Sequence, residues 1–220
     1  MSCQLIGFSD SSQGAFGVAI YARLESKEGI DSNLIFAKSR VAPPKRTLPQ
    51  KELLGAVLLS NVLSTVQGVY SSLPNLENHL FSDSETVLCW IKNENERYKQ
   101  FVENRAVSIR ESTEAEKWKH VRGDENPADL TTRPISPSDL NESVLWRKGP
   151  EWLRKPICDW PVQKPLFTHT DESLAELRAS DRKKLETSML AKEENIACPI
   201  KAERYSSMSK LFVTCHSLRL

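Results

Sequence analysis

The sequence predicts an α/β fold in which helices flank a single β-sheet. Three observations carry this prediction: three strand-like segments open the chain, helical segments and two further strand-like segments follow, and turn-forming residues separate neighbouring segments. The resulting order, β-β-β-α-β-α-α-β, is typical of a sheet with helices packed on its faces.

The first three strands are predicted from short apolar segments. Residues 3–8 are mostly apolar, and a turn-like stretch from Asp10 to Gly14 separates them from strand-like residues 16–24 and 34–41. Closely spaced prolines follow, and proline is rare inside helices and central strands because it lacks a backbone N–H. We therefore expect the third strand to end there.

The remaining elements alternate between helix and strand. Residues 51–65 have the density of Leu, Val and Ala expected of a buried helix, and residues 77–82 resemble a fourth strand. Two helices are predicted at residues 85–92 and 100–110, and a fifth strand at residues 117–122. A short helix should follow, with Asn126 as its cap.

Prolines and tryptophans are concentrated beyond the fifth strand. Half of the twelve prolines and three of the five tryptophans fall within residues 134–165. Because tryptophan is seldom left wholly in water, this segment should pack on the domain. We predict an α/β domain at residues 1–133, a Pro/Trp-rich extension at 134–165, and a C-terminal charged helical tail at 166–220.

Composition excludes few function classes. The formal net charge is +1, so nucleic-acid binding would have to rest on local basic patches. The five cysteines are scattered and lack the spacing of a zinc knuckle or a redox motif, so they are expected to be reduced thiols. With no signal-like N-terminus and no apolar run of about 18 residues, we expect an intracellular protein, cytoplasmic or nuclear, with no membrane partner.

The tetrapeptide Phe-Ser-Asp-Ser occurs twice, at residues 8–11 and 81–84, each time where a predicted strand ends. Functional groups of open α/β sheets gather beyond strand ends, so neighbouring strands would bring Asp10 and Asp83 together. Two carboxylates about 4 Å apart repel by roughly 4 kcal/mol at an effective dielectric constant of 20. A shared site therefore needs a proton or a cation.

Two further carboxylates extend this pattern. Glu52 shares a helical stripe with Ala56 and Leu59, where an unpaired carboxylate would be costly. Asp129 lies at the start of the short helix after the fifth strand. Four hard oxygen ligands suit Mg²⁺ or Mn²⁺, and two such ions can support an in-line phosphodiester displacement. Taken singly, each residue has an ordinary alternative as a turn former, a helix cap or a partner of a helix dipole.

Other candidates are weaker. His120 lies within the fifth strand and is expected to be a packed or half-exposed strand residue. The spacings of four C-terminal residues fit no zinc-finger pattern: His169, Cys198, Cys215 and His216. Four basic residues flank the predicted site and would either contact phosphates or form a solvated face: Lys117, Lys119, Arg122 and Arg133. The candidate substrate-binding residues are Ser11, Ser84, Asn104, Arg105, Asn126 and Arg133.

The chain contains several motifs in a fixed order. They are Gly-Phe-Ser-Asp-Ser-Ser from Gly7, Ala-Lys-Ser-Arg-Val-Ala-Pro from Ala37, Leu-Pro-Gln-Lys-Glu-Leu around Glu52, Phe-Ser-Asp-Ser from Phe81, Phe-Val-Glu-Asn-Arg from Phe101, residues 118–133 with Asn-Pro-Ala-Asp-Leu-Thr-Thr-Arg, and Gly-Pro-Glu-Trp-Leu from Gly149. These motifs resemble the RNase H region of BEL/Pao-type LTR retrotransposon polyproteins. The resemblance covers most of the chain.

The resemblance implies an RNase H-like fold with a five-stranded mixed sheet flanked by helices. It also implies hydrolysis of the RNA strand of an RNA/DNA hybrid with two Mg²⁺ or Mn²⁺ ions. The catalytic and metal-binding residues would be Asp10, Glu52, Asp83 and Asp129. The histidine that many relatives carry in the last catalytic loop has no match, because residues 123–125 read Gly-Asp-Glu. Turnover should then be weaker, or another group should fill that role.

Residues 204–220 resemble the family's segment before an integrase, and the chain is expected to be truncated, without reverse transcriptase or integrase. Two alternatives remain. An aspartic protease also uses Asp-Ser motifs, but Ser12 and Glu85 stand where its turns require glycine. A stronger alternative is an inactive retroelement remnant that binds nucleic acid or a protein partner.

Overall fold

The computed structural model describes residues 2–70, 76–161, 169–185 and 187. The chain divides into two compact units, Met1–Arg178 and Ala179–Leu220. Most of the predicted helical tail lies outside the described residues, as do Cys198, Cys215 and His216. The fold and the site described below belong to the first unit.

Five strands form one mixed sheet, in the order β3-β2-β1-β4-β5. The strands are β1 (Ser2–Ser11), β2 (Ala15–Ser26), β3 (Gly29–Val41), β4 (Glu77–Ser82) and β5 (Trp118–His120). The pairs β1–β2 and β2–β3 are antiparallel, whereas β1–β4 and β4–β5 are parallel. This architecture confirms the predicted α/β fold with a five-stranded mixed sheet.

Six α-helices accompany the sheet among the described residues of the first unit: α1 (Leu48–Val69), α2 (Glu85–Lys92), α3 (Gln100–Ser112), α4 (Pro137–Glu142), α5 (Val144–Lys148) and α6 (Asp171–Ala175). Short 3-10 turns occupy Ala115–Lys117, Gly123–Glu125, Pro127–Thr131, Glu151–Arg154 and Ile157–Asp159. The turns at Ala115–Lys117 and Gly123–Glu125 flank β5 and make it shorter than predicted. The short helix predicted after Asn126 is a 3-10 turn, and the Asn126 side chain caps it by accepting from the N–H of Ala128.

Helix α1 covers one face of the sheet. Its start is set earlier than the sequence pattern predicted, because the Thr47 side chain accepts from the N–H of Gln50. Gly7 of β1 faces this helix, and a Cβ built there would lie 2.7 Å from Leu59. By length and composition α1 is also the one helix among the described residues that could cross a membrane, and 50% of that stretch is buried inside the protein.

The extension after β5 covers the opposite face. Side chains alternate along a strand, so Phe8 points away from α1 and meets Phe81 at a centroid distance of 5.2 Å. Trp152 packs on Phe81 at 5.1 Å and on Trp160 at 5.1 Å. The fully buried Arg23 donates to the carbonyls of residues 153 and 155, at 2.8 and 3.0 Å. This core fixes the ends of β1 and β4 where the candidate site lies.

The first unit runs beyond the boundary predicted at residue 165. Residues 169–178 belong to it because they contact α2 and the connection between α2 and α3. Leu177 pairs with Tyr98 through an isolated antiparallel bridge, and the N–H of Arg178 donates to the carbonyl of Arg97 at 2.8 Å. The division into residues 1–133, 134–165 and 166–220 stays a prediction.

Candidate functional site

The two Phe-Ser-Asp-Ser motifs lie side by side. Strands β1 and β4 are parallel neighbours, with Phe8 opposite Phe81 and Ser9 opposite Ser82. The next residue in each motif is an aspartate, so Asp10 and Asp83 directly follow the paired residues Ser9 and Ser82 on the two strands. Because parallel strands end at the same edge, both carboxylates reach the edge that commonly carries functional groups.

Glu52 reaches this edge from the second turn of α1. One turn further along, Gly55 passes over β1, and a Cβ built on it would lie 3.0 Å from the carbonyl oxygen of Asp10. The missing side chain therefore allows α1 to approach β1 closely. The Ser84 hydroxyl donates to Oε2 of Glu52 at 2.5 Å, and its oxygen also accepts from the N–H of Val87 to cap α2.

Asp129 lies on the 3-10 turn that follows β5. The turn is attached to β1 because Nδ2 of Asn126 donates to the carbonyl of Ser9 at 3.0 Å. It also packs closely on β2, where a Cβ at Gly17 would lie 1.9 Å from Oγ1 of Thr131. In the register of the sheet Gly17 is opposite Asp10, so this contact brings the turn next to the paired aspartates.

Two hydrogen bonds orient the carboxylates of this turn and of β1. Oγ1 of Thr132 donates to Oδ2 of Asp10 at 2.5 Å, and Nε of Arg133 lies 2.7 Å from Oδ1 of Asp129. Within the described residues, no lysine or arginine forms an ion pair with Asp10, Glu52 or Asp83. Two of the four carboxylates, those of Asp10 and Glu52, are therefore held by neutral hydroxyl donors.

Burial and mutual repulsion raise the pKa values of three carboxyls. Desolvation is the largest cause at each, and it raises the pKa of Asp83 to about 7. The charges of Asp10 and Glu52 add to this effect on Asp83, and Asp129 adds a smaller one. Desolvation and then neighbouring carboxylates likewise raise the pKa values of Asp10 and Glu52, against the Thr132 and Ser84 hydrogen bonds. The four predicted residues thus act on one another electrostatically.

The carboxylate oxygens at this edge suit a hard cation, although they are not arranged around a single metal position. Among the described residues, no three His, Cys, Asp or Glu side chains are close enough together to form a ready-made metal site. The carboxylates at this edge are nevertheless all oxygen donors, desolvated and mutually repulsive, which is the environment that a divalent cation relieves. Their chemistry fits Mg²⁺ or Mn²⁺.

The candidate substrate-binding residues have different surroundings. Asn126 is 1% exposed and holds backbone groups, so its amide is already used. The Ser11 hydroxyl donates to the carbonyl of Ser12 at 3.2 Å, while Asn104 is exposed on α3. Arg105, also on α3, donates to the carbonyl of Phe101 at 2.9 Å. These placements leave the arginine and Asn104 more available to a ligand than Asn126.

The histidine and the basic residues that flank the site also differ in their contacts. His120 lies on β5 opposite Ser82 and is partly buried. Lys119 approaches His79 and the Trp160 ring, at 3.2 and 5.5 Å, and Arg122 pairs with Asp124 in solvent. These two basic side chains therefore have neighbours of their own.

Sequence reasoning missed several residues that shape the site. Thr132 orients Asp10, and two glycines, Gly17 and Gly55, provide the close approaches. Thr132 stands within the quoted Asn-Pro-Ala-Asp-Leu-Thr-Thr-Arg motif, whereas a glycine inside a helix or strand is the usual sign of close backbone contact.

One family of known proteins matches part of the chain. The family described as Pao retrotransposon-like RNaseH-like domain matches residues 1–84, which include Asp10, Glu52 and Asp83 but not Asp129. No curated protein matches the chain.

Solved structures that align with the chain include three RNase H proteins. One is the N-terminal RNase H domain of a Mycobacterium tuberculosis protein, with 12% identity and a TM-score of 0.44 over 60% of this chain and 91% of that one. Another is RNase H1 of Halobacterium salinarum, with 15% identity and a TM-score of 0.39 over 59% and 92%. LC11-RNase H1 in complex with an RNA/DNA hybrid aligns at 14% identity and a TM-score of 0.42 over 59% and 93%.

The likeness to this family rests on the family match together with the sheet observed here. The matched residues contain four of the five strands, α1 and both Phe-Ser-Asp-Ser motifs. For residues 1–84 the resemblance predicted from the sequence is confirmed, because they match the model of the Pao retrotransposon-like RNaseH-like domain. The chain also has the five-stranded mixed sheet that this resemblance implies.

Proposed function

We propose that the chain is a metal-dependent endonuclease that hydrolyses the RNA strand of RNA/DNA hybrids. The observation that carries the proposal is the parallel pairing of the two Phe-Ser-Asp-Ser motifs. It puts Asp10 and Asp83 at the same end of two adjacent strands, with Glu52 and Asp129 near enough to act on their ionisation. A fold of this family with that charge arrangement supports phosphodiester hydrolysis.

In the proposed reaction the four carboxylates hold two Mg²⁺ or Mn²⁺ ions. When bound, the ions supply an activated water and charge stabilisation for the leaving oxygen. Ser84 and Thr132 keep the carboxylates of Glu52 and Asp10 oriented through their hydroxyl donors. The buried surroundings of Asp10 limit access of bulk water, which strengthens electrostatic interactions at the site.

A pair of arginines supports a polyanionic substrate. Cζ of Arg46 lies 3.9 Å from the centroid of the Phe101 ring, and Cζ of Arg105 lies 3.6 Å from it. Two guanidinium groups at these distances cannot share one face, so they flank the ring and lie no more than about 7.5 Å apart. Desolvation and then the charge of Arg46 lower the pKa of Arg105. An anion relieves this repulsion, and phosphates suit guanidinium groups well.

Arg46 lies close to one of the carboxylates along the chain, and Arg105 joins it through the Phe101 ring. Arg46 precedes the cap of α1, whose second turn carries Glu52, and within the described residues neither arginine forms an ion pair with a carboxylate. We propose that they contact the phosphates of the hybrid, together with Arg133 and Asn104 as further candidates. Ser11, Ser84 and Asn126 would act closer to the cleaved bond, mainly by orienting neighbouring groups.

The test is cleavage of an end-labelled RNA/DNA hybrid by the purified chain with Mg²⁺ or Mn²⁺. Asp83→Asn should abolish cutting, whereas Asp139→Asn, a matched change on the exposed surface of α4, should leave it unchanged. Double-stranded DNA should not be cut. Failure of the folded wild-type chain to cut the hybrid with either metal would contradict the proposal.

Hybrid binding can be measured separately from cleavage. Arg46→Ala should weaken binding about tenfold, because one charge-assisted contact to a phosphate is lost. The control is Lys27→Ala, an exposed change in the hairpin at the other end of β2. Equal loss in both variants would indicate binding by general charge alone.

One observation favours the alternative, a retained fold that binds nucleic acid without turnover. Residues 123–125, where many relatives carry a catalytic histidine, contain no histidine in this chain. This stretch is close to Asp83, since a Cβ built at Gly123 would lie 3.5 Å from Oδ2 of Asp83. Asp124 in that stretch pairs with Arg122. Hybrid binding without cutting would support the alternative.

A further inference from the structure

A segment beyond the Pro/Trp-rich extension returns to the candidate site. Residues 169–178, here named the C-terminal strap, include α6 and contact α2 at two points. The hydroxyls of Thr170 and Thr86 lie 2.7 Å apart, and the hydroxyl of Ser173 lies 3.3 Å from Sγ of Cys89. Both Cys89 and Ser173 are fully buried. The strap is therefore a packed part of the first unit.

The other end of the strap contacts α1 and the start of α3. Nε2 of Gln50 donates to Oε1 of Glu176 at 2.9 Å, and the N–H of Lys99 donates to the carbonyl of Glu176 at 2.7 Å. An additional contact joins Nε2 of His169 to Oε1 of Glu96 at 2.7 Å. Side chains on three elements of the domain thus hold the strap in one position.

These anchors lie on either side of Glu52. Thr86 follows Ser84, whose hydroxyl donates to Glu52, and Gln50 precedes Glu52 in the first turn of α1. The strap runs from the Thr86 contact to the Gln50 contact, and Glu172 is one of the five residues between these two anchors. Glu172 is exposed, and within the described residues it forms no ion pair with a lysine or arginine. After burial and Asp10, the charge of Glu172 is a further cause of the raised pKa of Glu52.

We propose that the C-terminal strap forms one wall of the carboxylate site and that Glu172 strengthens divalent-cation binding at Glu52. The inference rests on the proposed function, since it takes the carboxylates as the cation site. Glu172 acts through the electrostatic potential at Glu52 and is a positioning residue. A unit negative charge within a Debye length of a divalent cation at the protein surface should raise affinity about two- to sixfold, depending on salt.

The experiment is calorimetric titration of the metal-free full chain with Mn²⁺ and Mg²⁺ at low ionic strength. Glu172→Gln should weaken cation affinity two- to sixfold. The matched control is Asp171→Asn, in the same turn of α6 and equally exposed, which should keep wild-type affinity. Thermal melts of the metal-free variants should coincide with the wild type, because both residues are on the surface.

A second pair of variants tests the strap itself. Thr170→Val removes the hydroxyl that contacts Thr86 and caps α6, without changing any charge. It should lower cation affinity, and Thr170→Ser should restore it because the hydroxyl is kept. An effect of Glu172→Gln equal to that of Asp171→Asn, or no effect of either, would overturn the inference.

Failure of the inference and failure of the proposed function give different results. A chain that binds cations but does not cut the hybrid contradicts the proposed function, and the affinity of Glu172→Gln still decides the inference. A chain that cuts the hybrid while Glu172→Gln binds cations normally contradicts the inference alone. A wild-type chain that binds neither Mn²⁺ nor Mg²⁺ also overturns the inference.

Discussion

Replacing Asp83 by asparagine should stabilise the metal-free protein above neutral pH. Burial, followed by the charges of Asp10 and Glu52, raises the pKa of Asp83 from 3.8 to about 7. A carboxyl with a raised pKa in the folded state favours folding while it is protonated. That contribution is complete below the unfolded pKa and is lost as the pH rises through about 7. Asparagine is neutral at every pH and avoids this loss.

The magnitude follows from the size of the shift. A change from 3.8 to about 7 is roughly three pKa units, and each unit corresponds to about 1.4 kcal/mol. Asp83 is partly exposed, so solvent screening reduces the full value of this stabilisation. At pH 8 in the presence of a chelator, we expect the unfolding free energy of Asp83→Asn to exceed that of the wild type by on the order of 2–4 kcal/mol. Near pH 3 the two unfolding free energies should be equal.

Urea unfolding at a series of pH values from 3 to 8.5 measures this difference directly. Adding Mg²⁺ at pH 8 should narrow or reverse it, because a cation stabilises the wild-type carboxylates and has less to bind in the variant. Asp139→Asn serves as the matched control and should show no such pH dependence. The reasoning is refuted by a gain that is the same at pH 3 and pH 8, or by a variant less stable than the wild type in chelator at pH 8.

Three further substitutions test the packing that supports the site. Gly17→Ala should displace the turn that carries Asp129, because the added Cβ would overlap the Thr131 hydroxyl. Hybrid cleavage should then fall at least tenfold, and unchanged cleavage would contradict this expectation. Trp152→Ala should lower the unfolding free energy by about 3–5 kcal/mol through loss of the aromatic core, measured by urea unfolding against the wild type. Arg23→Leu leaves the buried carbonyl of Leu153 and the buried side-chain carbonyl of Gln4 without donors and should cost about 1–3 kcal/mol for each, whereas full stability would show that water replaces the guanidinium.

The fold and the pairing of the two aspartates could be predicted because both depend on local patterns. Short apolar segments bounded by turn-forming residues predicted the strands, and a repeated tetrapeptide at two strand ends predicted that Asp10 and Asp83 would be neighbours. The observed register, with Phe8 opposite Phe81, agrees with that expectation. Asn126 was predicted as a cap, and its second role, donating to the carbonyl of Ser9, requires the folded sheet.

Other features could not be predicted because they depend on contacts between distant segments. The close approach of Gly55 to Asp10 depends on the packing of α1 on the sheet. The strap residue Glu172 is far from Glu52 in sequence, and a charged, helix-permissive stretch gives no sign of where it will lie. The fifth strand was predicted too long because the pattern of residues 117–122 does not reveal the 3-10 turns on either side.

The choice of hydrogen-bond partners explains how this site keeps its charge. Ser84 and Thr132 hold Glu52 and Asp10 with hydroxyl donors, which orient a carboxylate without cancelling its charge. A lysine or arginine in either place would orient the group equally well but would lower its pKa and weaken its attraction for a cation. Within the described residues, the one arginine paired to these carboxylates is Arg133, on Asp129. Replacing Thr132 by valine should therefore loosen Asp10 more than it changes the net charge of the site, whereas Thr132→Lys should abolish cation binding even if Asp10 stays in place.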